Sequence, residues 1–392
     1  MDAAGILSGA AWREVCDRLA AMGEQILGDG WPDDPQGRAE GMRHLATQVA
    51  CWFTYATGYS DPERPAFFRS ADPTYAWGGP NVDQVARRAS VDGSGTYRVS
   101  GRMGSCEEFI LQIKGGAVQS GGAEIATEVS ASSLGLQPGD TFEIFVGGDE
   151  QGTTWLPLGE GPGFVHVRDY YFDWVGAEPA TFVIERLDTQ GTSAPALSAE
   201  RVAEMLEIAA HEVEHSTVYF RDLQVRMRAA QTPNEFGVPD VSGRGVQDII
   251  YSHGFVSLRD DEAMIIELDP NAAALWGVSS YTPAWYEPLD YATRVTSRNH
   301  RQVIADGDGL VRVVLAGIDT GTANWLDTAG RGDLLTTVRW FRPPEPPPIR
   351  TEVVPLADLD AHLPDDHPRV DSETRADELR GRAAHVAWRY RT

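Results

Sequence analysis

Two stretches of the chain show the same order of residue types, and this repetition constrains the fold more than any other feature. The first reads TFEIFVGGDEQGTTWLPLGEGPGFVHVRDYYF and the second reads LVRVVLAGIDTGTANWLDTAGRGDLLTTVRWF. In each, a strand-like segment leads to Gly, Asp, Gly-Thr and Trp-Leu, then to a Gly-rich turn and a strand that carries Arg. The pattern predicts an internal duplication that gives two β-units of similar build. The matched residues are Asp149 with Asp319, Trp155 with Trp325, and Arg168 with Arg339.

The chain around these stretches is typical of antiparallel strands and hairpins, with helices outside them. TYRVSG, EFILQIKG and similar segments are rich in aromatic and β-branched residues, and Gly, Pro, Asp and Asn separate them. Near the N-terminus, apolar residues recur at helical spacing in two runs, from Trp12 to Ile26 and from Met42 to Ala56. Because GDGWPDDPQG lies between the runs, they predict a helical hairpin. A later stretch that begins at Ser198, a suitable N-cap, predicts a long connecting helix.

These patterns divide the chain into five predicted parts. The C-terminal part begins after RPPEPPP, which favours an extended segment. The helix that follows has a narrow apolar face, too small for a core of its own, so we expect it to dock on its own β-unit or across a homodimer, which we favour. The parts are a helical hairpin at 1–65, a first β-unit at 66–190, the connecting helix at 191–235, a second β-unit at 236–345 and a Pro-rich arm with a helix at 346–392.

Several motifs in this order resemble a known family. They are YRVSGRMG, VRDYYFDW, DEAMIIEL, LDYATRVTSRNHRQ, DGDGLVRVV and TANWLDT followed by TVRWFRP, and the likeness extends from about residue 10 to 345. In these motifs the chain resembles the bacterial domain-of-unknown-function 1214 family. The resemblance implies a mainly antiparallel β fold of jelly-roll or sandwich type. It implies no activity, because the family is named for lacking one.

The charge and the cysteine content exclude several classes of partner. The formal net charge is -25, which predicts a surface that repels nucleic acid and anionic membranes. The three cysteines, Cys16, Cys51 and Cys106, form no CxxC pair, so we expect no disulfide framework. We find neither a signal-peptide pattern nor an apolar run long enough to span a membrane, and we expect a soluble cytoplasmic protein.

Lys114 is the single lysine and hence the single candidate for Schiff-base chemistry, although Gly115 and Gly116 beside it also fit a simple turn.

The segment HEVEH at residues 211–215 spells two zinc-hydrolase signatures at once. On a helical wheel, His211 and His215 lie nearly opposite the apolar stripe, on the side that meets solvent. Glu235 lies in a segment that predicts a loop rather than a helix, and the other candidates for a third ligand have no distinguishing context. We therefore expect a solvated helix face and no metal. Those other candidates are Glu262, Glu267 and Glu287.

Nucleotide cofactors are not indicated either. GEGPGF is rich in glycine, but strands bound it and no helix follows, so it cannot set a phosphate on a helix N-terminus. The sequence thus predicts no cofactor.

A serine hydrolase is not indicated, because the sequence has no GxSxG motif to place a nucleophilic serine on a strand–helix turn.

Aromatic and polar residues concentrate in a few segments, and such a mixture suits a concave small-molecule site. The same residue types are common in β-sandwich cores, where a hydroxyl or N–H is satisfied locally. Should the protein be an enzyme, His300 would be the base and Tyr286 a donor, with Arg294 holding an anionic group and Asp290 completing the set. The predicted ligand-binding residues are Tyr281, Trp285, Ser297, Asn299, Asn324, Trp325, Arg168 and Tyr170.

Three functions stay open at this stage. The leading one is binding, with or without metal-free acid-base conversion, of a small and largely apolar or aromatic metabolite between the two β-units. The second is a carbohydrate-binding or carbohydrate-active β-sandwich, in which Trp and Tyr stack on sugar rings. The third is a scaffold that uses its acidic surface and Pro-rich tail for assembly.

Overall fold

The computed structural model describes residues 1–116, 121–122, 124–241 and 248–391. Within these residues the chain divides into two compact units. Each unit combines segments that are distant in sequence. The first comprises Met1–Gly78, Val85–Tyr170 and Pro179–Leu223, and the second comprises Gly79–Gln84, Tyr171–Glu178 and Gln224–Thr392.

Capping residues set where the N-terminal helices begin. The Asp2 carboxylate accepts a hydrogen bond from the backbone N–H of Gly5, and the Asp34 carboxylate accepts one from Gly37. Each satisfies a donor that has no partner inside its helix. The predicted N-terminal helical hairpin and long connecting helix are confirmed. The helices are α1 (Ala3–Ser8), α2 (Ala10–Gln25), α3 (Pro35–Gly58), α4 (Ala199–Ala229) and α5 (Ser372–Tyr390).

Two sheets form the β part of the first unit. One has five strands in the order β1-β2-β8-β4-β5, and the other has four in the order β7-β6-β3-β9. The strands are β1 (Phe68–Ala71), β2 (Gln84–Asp92), β3 (Tyr97–Arg102), β4 (Glu108–Gly115), β5 (Glu124–Ser130), β6 (Thr141–Val146), β7 (Trp155–Leu156), β8 (Pro162–Tyr170) and β9 (Thr181–Arg186).

The second unit also contains a five-stranded and a four-stranded sheet. Their orders are β10-β11-β17-β13-β14 and β16-β15-β12-β18. The strands are β10 (Asp240–Val241), β11 (Ile249–Ser257), β12 (Glu262–Leu268), β13 (Trp276–Tyr281), β14 (Ser297–Asn299), β15 (Val311–Ala316), β16 (Trp325–Asp327), β17 (Asp333–Phe341) and β18 (Arg350–Pro355).

The two units are related strand by strand, as the repeated sequence pattern predicted. Adding nine to each strand number of the first unit reproduces the strand orders of the second. Trp155 and Trp325 begin β7 and β16, the short strands that pair in parallel with β6 and β15. Their indole N–H groups donate to the equivalent carbonyls, of Gly147 at 3.0 Å and of Ala316 at 3.1 Å. The fold class predicted from the sequence, mainly β with two related antiparallel units, is therefore confirmed.

In the first unit, the five-stranded sheet is covered on both faces. Phe109 of β4 packs on Phe142 and Phe182 of the four-stranded sheet, with ring centroids 5.0 and 5.5 Å away. Because side chains alternate along a strand, the neighbours of Phe109 on β4 point to the opposite face. Trp52 and Tyr55 of α3 cover that opposite face, in a cluster with Phe68, Phe164 and Val213.

An apolar core lies between the sheets of the second unit, and β-branched and aromatic residues dominate it. It combines alternate residues from five strands, so their other side chains point away from it. The fully buried residues of this core include Val256, Met264, Ile266, Trp276, Val278, Val313, Leu315, Leu334, Val338 and Trp340.

The C-terminal part differs from the prediction of an arm. We expected the second unit to end at residue 345, but β18 continues its four-stranded sheet, pairing antiparallel with β12. RPPEPPP is thus a short connection to an edge strand. The helix α5 docks on the second unit of its own chain, where Arg382 is buried and donates to the carbonyls of Tyr291 and Arg294, each at 3.1 Å, and to Ser297. This intramolecular contact removes the reason for expecting a homodimer through the arm.

No helix in the described part of the chain is both long and apolar enough to cross a membrane.

Replacing Arg382 with Ala should release α5 from the second unit. The change leaves buried carbonyls without a donor, and we expect it to lower the free energy of unfolding by about 3–5 kcal/mol. Hydrogen exchange should rise throughout residues 372–390. Arg380→Ala is the matched control, because Arg380 is exposed on the same helix and pairs only with Asp377 among the described contacts. Equal effects of the two changes would show that Arg382 does not anchor the helix.

Candidate functional site

Two members of the predicted acid-base group have structural roles on the surface. The Asp290 carboxylate accepts from the backbone N–H groups of Ala292 and Thr293, at 3.0 and 2.9 Å, and so closes a turn. Arg294 is exposed and forms an ion pair with Asp327 at 2.8 Å. These contacts account for both side chains as part of a surface turn and a surface ion pair, and their catalytic roles stay predictions.

His300 and Tyr286 lie deeper in the second unit. His300 packs against Phe172 with its ring tilted and the centroids 4.8 Å apart, and its Nδ1 accepts from the backbone N–H of Trp276 at 3.4 Å. Tyr286 is buried, and its ring meets that of Tyr281 edge-on at 5.4 Å. Burial raises the pKa of Tyr286, which makes its phenol a hydrogen-bond donor rather than a base.

Tyr281 belongs to a saturated network around Arg339 on β17. The guanidinium donates to the phenol oxygen of Tyr281 at 2.6 Å, to the hydroxyl of Ser279 at 3.3 Å and to the carbonyl of Gly79 at 2.7 Å. The phenol donates in turn to the carbonyl of Pro80 at 2.8 Å. This arginine is fully buried, and its own unit provides acceptors for it.

Asn299 and Ser297 belong to a second polar network, which includes residues that sequence reasoning missed. The buried Asp83 carboxylate accepts from the Asn299 amide at 2.6 Å and from the indole N–H of Trp174 at 2.9 Å. Burial raises the pKa of Asp83, against the effect of these two hydrogen bonds. Ser297 accepts from Arg382 at 2.7 Å. No sequence pattern joins Asp83 to Asn299, because 216 residues separate them.

The indole of Trp174 is also the platform for α5. The imidazole of His385 stacks on it with centroids 4.7 Å apart and planes 11° from parallel. The guanidinium groups of Arg382 and Arg389 lie 4.6 and 5.1 Å from the ring centroid. Burial first, and then the charges of Arg389 and Arg382, lower the pKa of His385 to about 3. His385 is therefore neutral at physiological pH.

The remaining predicted residues of the second unit support its core. The Asn324 amide donates to the carbonyls of Ile304 at 2.7 Å and Arg312 at 3.2 Å, which ties two segments of backbone together. Trp325 carries the guanidinium of Arg375 at 5.2 Å over its ring. Trp285 is 2% exposed. These positions explain the aromatic clusters of the sequence as packing.

The HEVEH segment lies on α4 in the first unit. The rings of His211 and His215 stack with centroids 3.8 Å apart, and the Glu214 carboxylate pairs with Arg18 at 2.7 Å. His215 is exposed. Among the residues that the structure describes, no three His, Cys, Asp or Glu side chains are grouped to hold a metal ion.

Arg168 and Tyr170, the predicted residues of the first unit, lie on β8. Tyr170 is buried at 1% exposure. Arg168 donates to the Gln112 amide oxygen on β4 at 2.6 Å. Directly opposite residues of paired strands share a face, and the register pairs Gln112 with His166 and Lys114 with Phe164. We call this side of the five-stranded sheet, with Arg88, Lys114, His166 and Arg168, the basic face.

Arg88, on β2, is the centre of the basic face. Its guanidinium carbon lies 4.1 Å from the ring centroid of Tyr55, 4.5 Å from that of Trp52 and 4.9 Å from that of Phe164. The residue is 6% exposed, yet Nε and Nη2 have no hydrogen-bond acceptor within the described part of the chain. Gln48, which accepts from the Trp52 indole at 3.0 Å, is fully buried and likewise has no acceptor for its amide nitrogen there.

Lys114 and His166 are the titratable groups of the basic face whose pKa values burial and the surrounding arginines lower. Burial, and then the charge of Arg168, lower the pKa of Lys114 to about 7. Burial and the charges of Arg168, Lys114 and Arg88 lower the pKa of His166 well below 6.5. The Nε2 atom of His166 is buried and has no partner among the described residues. The single lysine was the sequence signal for this site, whereas nothing in the sequence pointed to Arg88.

Comparison with solved structures places the chain in a family. An uncharacterized protein from Burkholderia cenocepacia has 32% sequence identity and a TM-score of 0.84, and the match covers 91% of this chain and 100% of that chain. The chain belongs to the family of that protein. The VPA0106 protein of Vibrio parahaemolyticus is 12% identical, with a TM-score of 0.46 over 79% of this chain and 98% of that chain.

No protein-family model matches the chain, and no curated protein does. Membership of the Burkholderia family supports the fold and brings no activity with it. A function must therefore be argued from the side chains of this chain.

Because the pKa of His385 is lowered in the folded chain, the stability of the protein should depend on pH, and a single substitution can test this. Since this pKa is about 3 in the folded chain, and about 6.5 when unfolded, the unfolded state binds more protons between these values. Stability is therefore lost as the pH falls from 6.5 towards 3, by at most about 1.4 kcal/mol per pH unit for this group. His385→Phe keeps the stack on Trp174 and cannot be protonated. The fall in melting temperature between pH 7 and pH 5 should be smaller in this variant, and an equal fall would contradict the assignment.

Proposed function

We propose that the protein binds a small organic acid, with an apolar or aromatic body, on the basic face of the first unit. This keeps the ligand class predicted from the sequence, a small and largely apolar or aromatic metabolite, and adds an acidic group to it. The resemblance to the domain-of-unknown-function 1214 proteins and the origin of the two units by duplication are also proposals, and neither brings an activity.

The observation that supports this proposal is the unsatisfied edge of Arg88. Nε and Nη2 form the side of a guanidinium that takes the two oxygens of a carboxylate in parallel. In Arg88 both atoms are buried and lack an acceptor in the described part of the chain. Burying a charged donor without a partner is costly, and proteins tolerate it mainly where function requires it.

The surroundings of Arg88 fit an organic acid better than an inorganic anion. The rings of Trp52, Tyr55 and Phe164 surround the guanidinium and would also contact an apolar body. An inorganic phosphate or sulfate has no surface for these rings. The aromatic rings therefore favour a carboxylate that carries an apolar or aromatic group.

The second unit provides an internal comparison. Arg339 occupies the position on β17 that Arg168 has on β8, since each is the seventh residue of a nine-residue strand. There the positive charge has the phenol of Tyr281, the hydroxyl of Ser279 and a carbonyl as acceptors. In the first unit Arg168 likewise has an acceptor, the amide oxygen of Gln112, whereas Nε and Nη2 of Arg88 on the same face have none among the described residues. We attribute these open donors, inside a ring of aromatic side chains, to a ligand that binds there.

Entry of the ligand requires a side chain to move. Nε and Nη2 are sealed from solvent, so one of the covering groups must swing away before an acid can reach them. Trp77 is the natural candidate, because it packs on Trp52 at 5.0 Å and is only partly buried. Rotation of one side chain of this kind leaves the backbone of the five-stranded sheet in place.

Arg88→Met should abolish binding of an aromatic acid and stabilise the unliganded protein. We expect phenylacetate to bind wild type, and the variant to lose about tenfold or more in affinity, since a hydrogen bond to a charged group contributes about 1.5–3 kcal/mol. Isothermal titration calorimetry measures this, with phenylacetamide as the uncharged probe. The melting temperature of the variant should rise, because two buried donors that have no acceptor among the described residues have been removed.

Arg339→Met is the matched control, a buried arginine whose hydrogen bonds are satisfied. It should lower the melting temperature, because Tyr281, Ser279 and Gly79 lose their donor. The proposal is wrong if phenylacetate binds wild type and Arg88→Met equally, or does not bind wild type at all. Destabilisation by Arg88→Met as large as that by Arg339→Met would mark Arg88 as structural.

A further inference from the structure

We infer that the second unit binds a small monovalent oxyanion between the segment Gly79–Gln84 and the C-terminal half of α5. Asn81 of that segment and His385 and Arg389 of α5 hold the anion, and we call these three residues the Asn81 cluster. All three belong to the second unit. The site is separate from the basic face of the first unit, and it does not depend on the proposed function.

The contacts of Arg389 place the three residues beside one another. Its Nη2 donates to the carbonyl of Val82 at 2.6 Å, and Val82 directly follows Asn81 in the chain. Consecutive Cα atoms are about 3.8 Å apart, so the guanidinium lies next to Asn81. His385 precedes Arg389 by one helical turn, and the two side chains lie 4.7 and 5.1 Å from the ring centroid of Trp174. One small ion can therefore contact all three residues.

The direction of the Asn81 amide is set by the backbone. Its Oδ1 accepts from the N–H of Asp83 at 3.0 Å, and because a backbone N–H can only donate, the oxygen and not the nitrogen must face it. The Nδ2 group, with its N–H donors, is thus directed away from this turn. Asn81 is 7% exposed, and Nδ2 is buried without an acceptor in the described ranges of the chain.

Arg389 presents further donors, and Arg382 on the same helix shows a satisfied arginine for comparison. The two are 2% and 3% exposed, and both lie over the indole of Trp174. Arg382 makes four hydrogen bonds, to three carbonyls and to the hydroxyl of Ser297. Arg389 donates only to Val82, and its Nε and Nη1 have no acceptor among the residues that the structure describes. Buried donors of a charged group are costly unless an acceptor meets them.

The buried charges around Trp174 also favour one anion. No ion pair between described residues includes Arg382 or Arg389, and the carboxylate that both of them influence is Asp83. Burial raises the pKa of Asp83 although both arginines act against it, so this group compensates at most one of their two charges. A monovalent anion balances the other. The neighbouring buried arginines already have carboxylate partners, in the pairs Arg298 with Glu378 and Arg375 with Asp319.

The arrangement of donors favours an oxyanion over a halide. A guanidinium offers N–H groups in pairs that match two oxygens of a planar anion. The Asn81 amide donates from the other side, and Nε2 of His385, which is buried without a partner in the described part of the chain, is a donor in one tautomer. Nitrate and bicarbonate are planar and have an oxygen for each of these directions, whereas chloride is a single atom. Their small size suits atoms that are sealed from solvent.

Hydrogen exchange of the full-length protein tests the inference. Nitrate is the probe, and gluconate at equal ionic strength is the reference, because gluconate is too large for the Asn81 cluster. We expect nitrate to slow exchange in the peptides that cover residues 79–84 and 380–390, because a ligand that binds only the folded state stabilises the parts it joins. In Arg389→Met, the nitrate concentration that gives half of this protection should rise at least tenfold, through loss of hydrogen bonds to a charged group.

Two further variants keep the test sharp. Asn81→Asp retains the oxygen that accepts from Asp83 and replaces the amide donors with a negative charge, so the variant should fold and lose the response to nitrate. Arg88→Met is the matched control, since it changes a buried arginine of the first unit that also has open donors. Its response to nitrate in residues 380–390 should equal that of wild type.

Equal exchange in nitrate and gluconate would show that water alone meets the open donors, and the inference would then be wrong. A response that survives both Arg389→Met and Asn81→Asp, or that disappears in Arg88→Met, overturns it as well. Phenylacetate binding at the basic face is measured separately, so this inference and the proposed function can fail independently.

Discussion

Each five-stranded sheet in this protein buries both of its faces, and this constraint governs the rest of each unit. The central strands β4 and β13 have almost no exposed residue along their lengths. Only one face of each sheet is apolar, since the other carries Arg, Lys, His, Tyr, Ser and Asn side chains. Buried polar groups must find partners or pay the full cost of lost hydration, so each unit needs a hydrogen-bond network on that second face.

The two units meet this requirement with different chemistry on related strands. In the second unit, acceptors surround Arg339, and the amide of Asn299 and the indole of Trp174 both donate to Asp83. The docked helix α5 adds Arg382, whose donors satisfy free carbonyls. In the first unit the corresponding face is rich in cations, and Nε and Nη2 of Arg88 have no acceptor among the described residues; in the second unit the same holds for Nε and Nη1 of Arg389. The site for the organic acid is assigned to the face on which three aromatic rings surround such a guanidinium.

Local signals in the sequence predicted the parts of this structure that depend on neighbouring residues. The repeated Trp-Leu and Arg positions place Trp155 and Trp325 at the same point of the two units, because turn chemistry and strand alternation act over a few residues. Partners that are distant in the chain, such as Asp83 for Asn299 or Trp52 for Arg88, could not be predicted from these local patterns. Periodicity tells which face a residue occupies and not what packs against it.

The contrast between the acidic chain and its basic interior bears on which ligands can bind. With a net charge of -25, the protein repels an approaching anion over roughly a Debye length, about 8 Å at physiological ionic strength. The cations of the basic face are buried, so salt screens them far less than it screens surface charge. Added salt should therefore speed the association of an organic acid while changing its dissociation little. Charge alone would thus not draw anions to the site, and selection depends on the aromatic contacts around Arg88 that only an apolar acid can make.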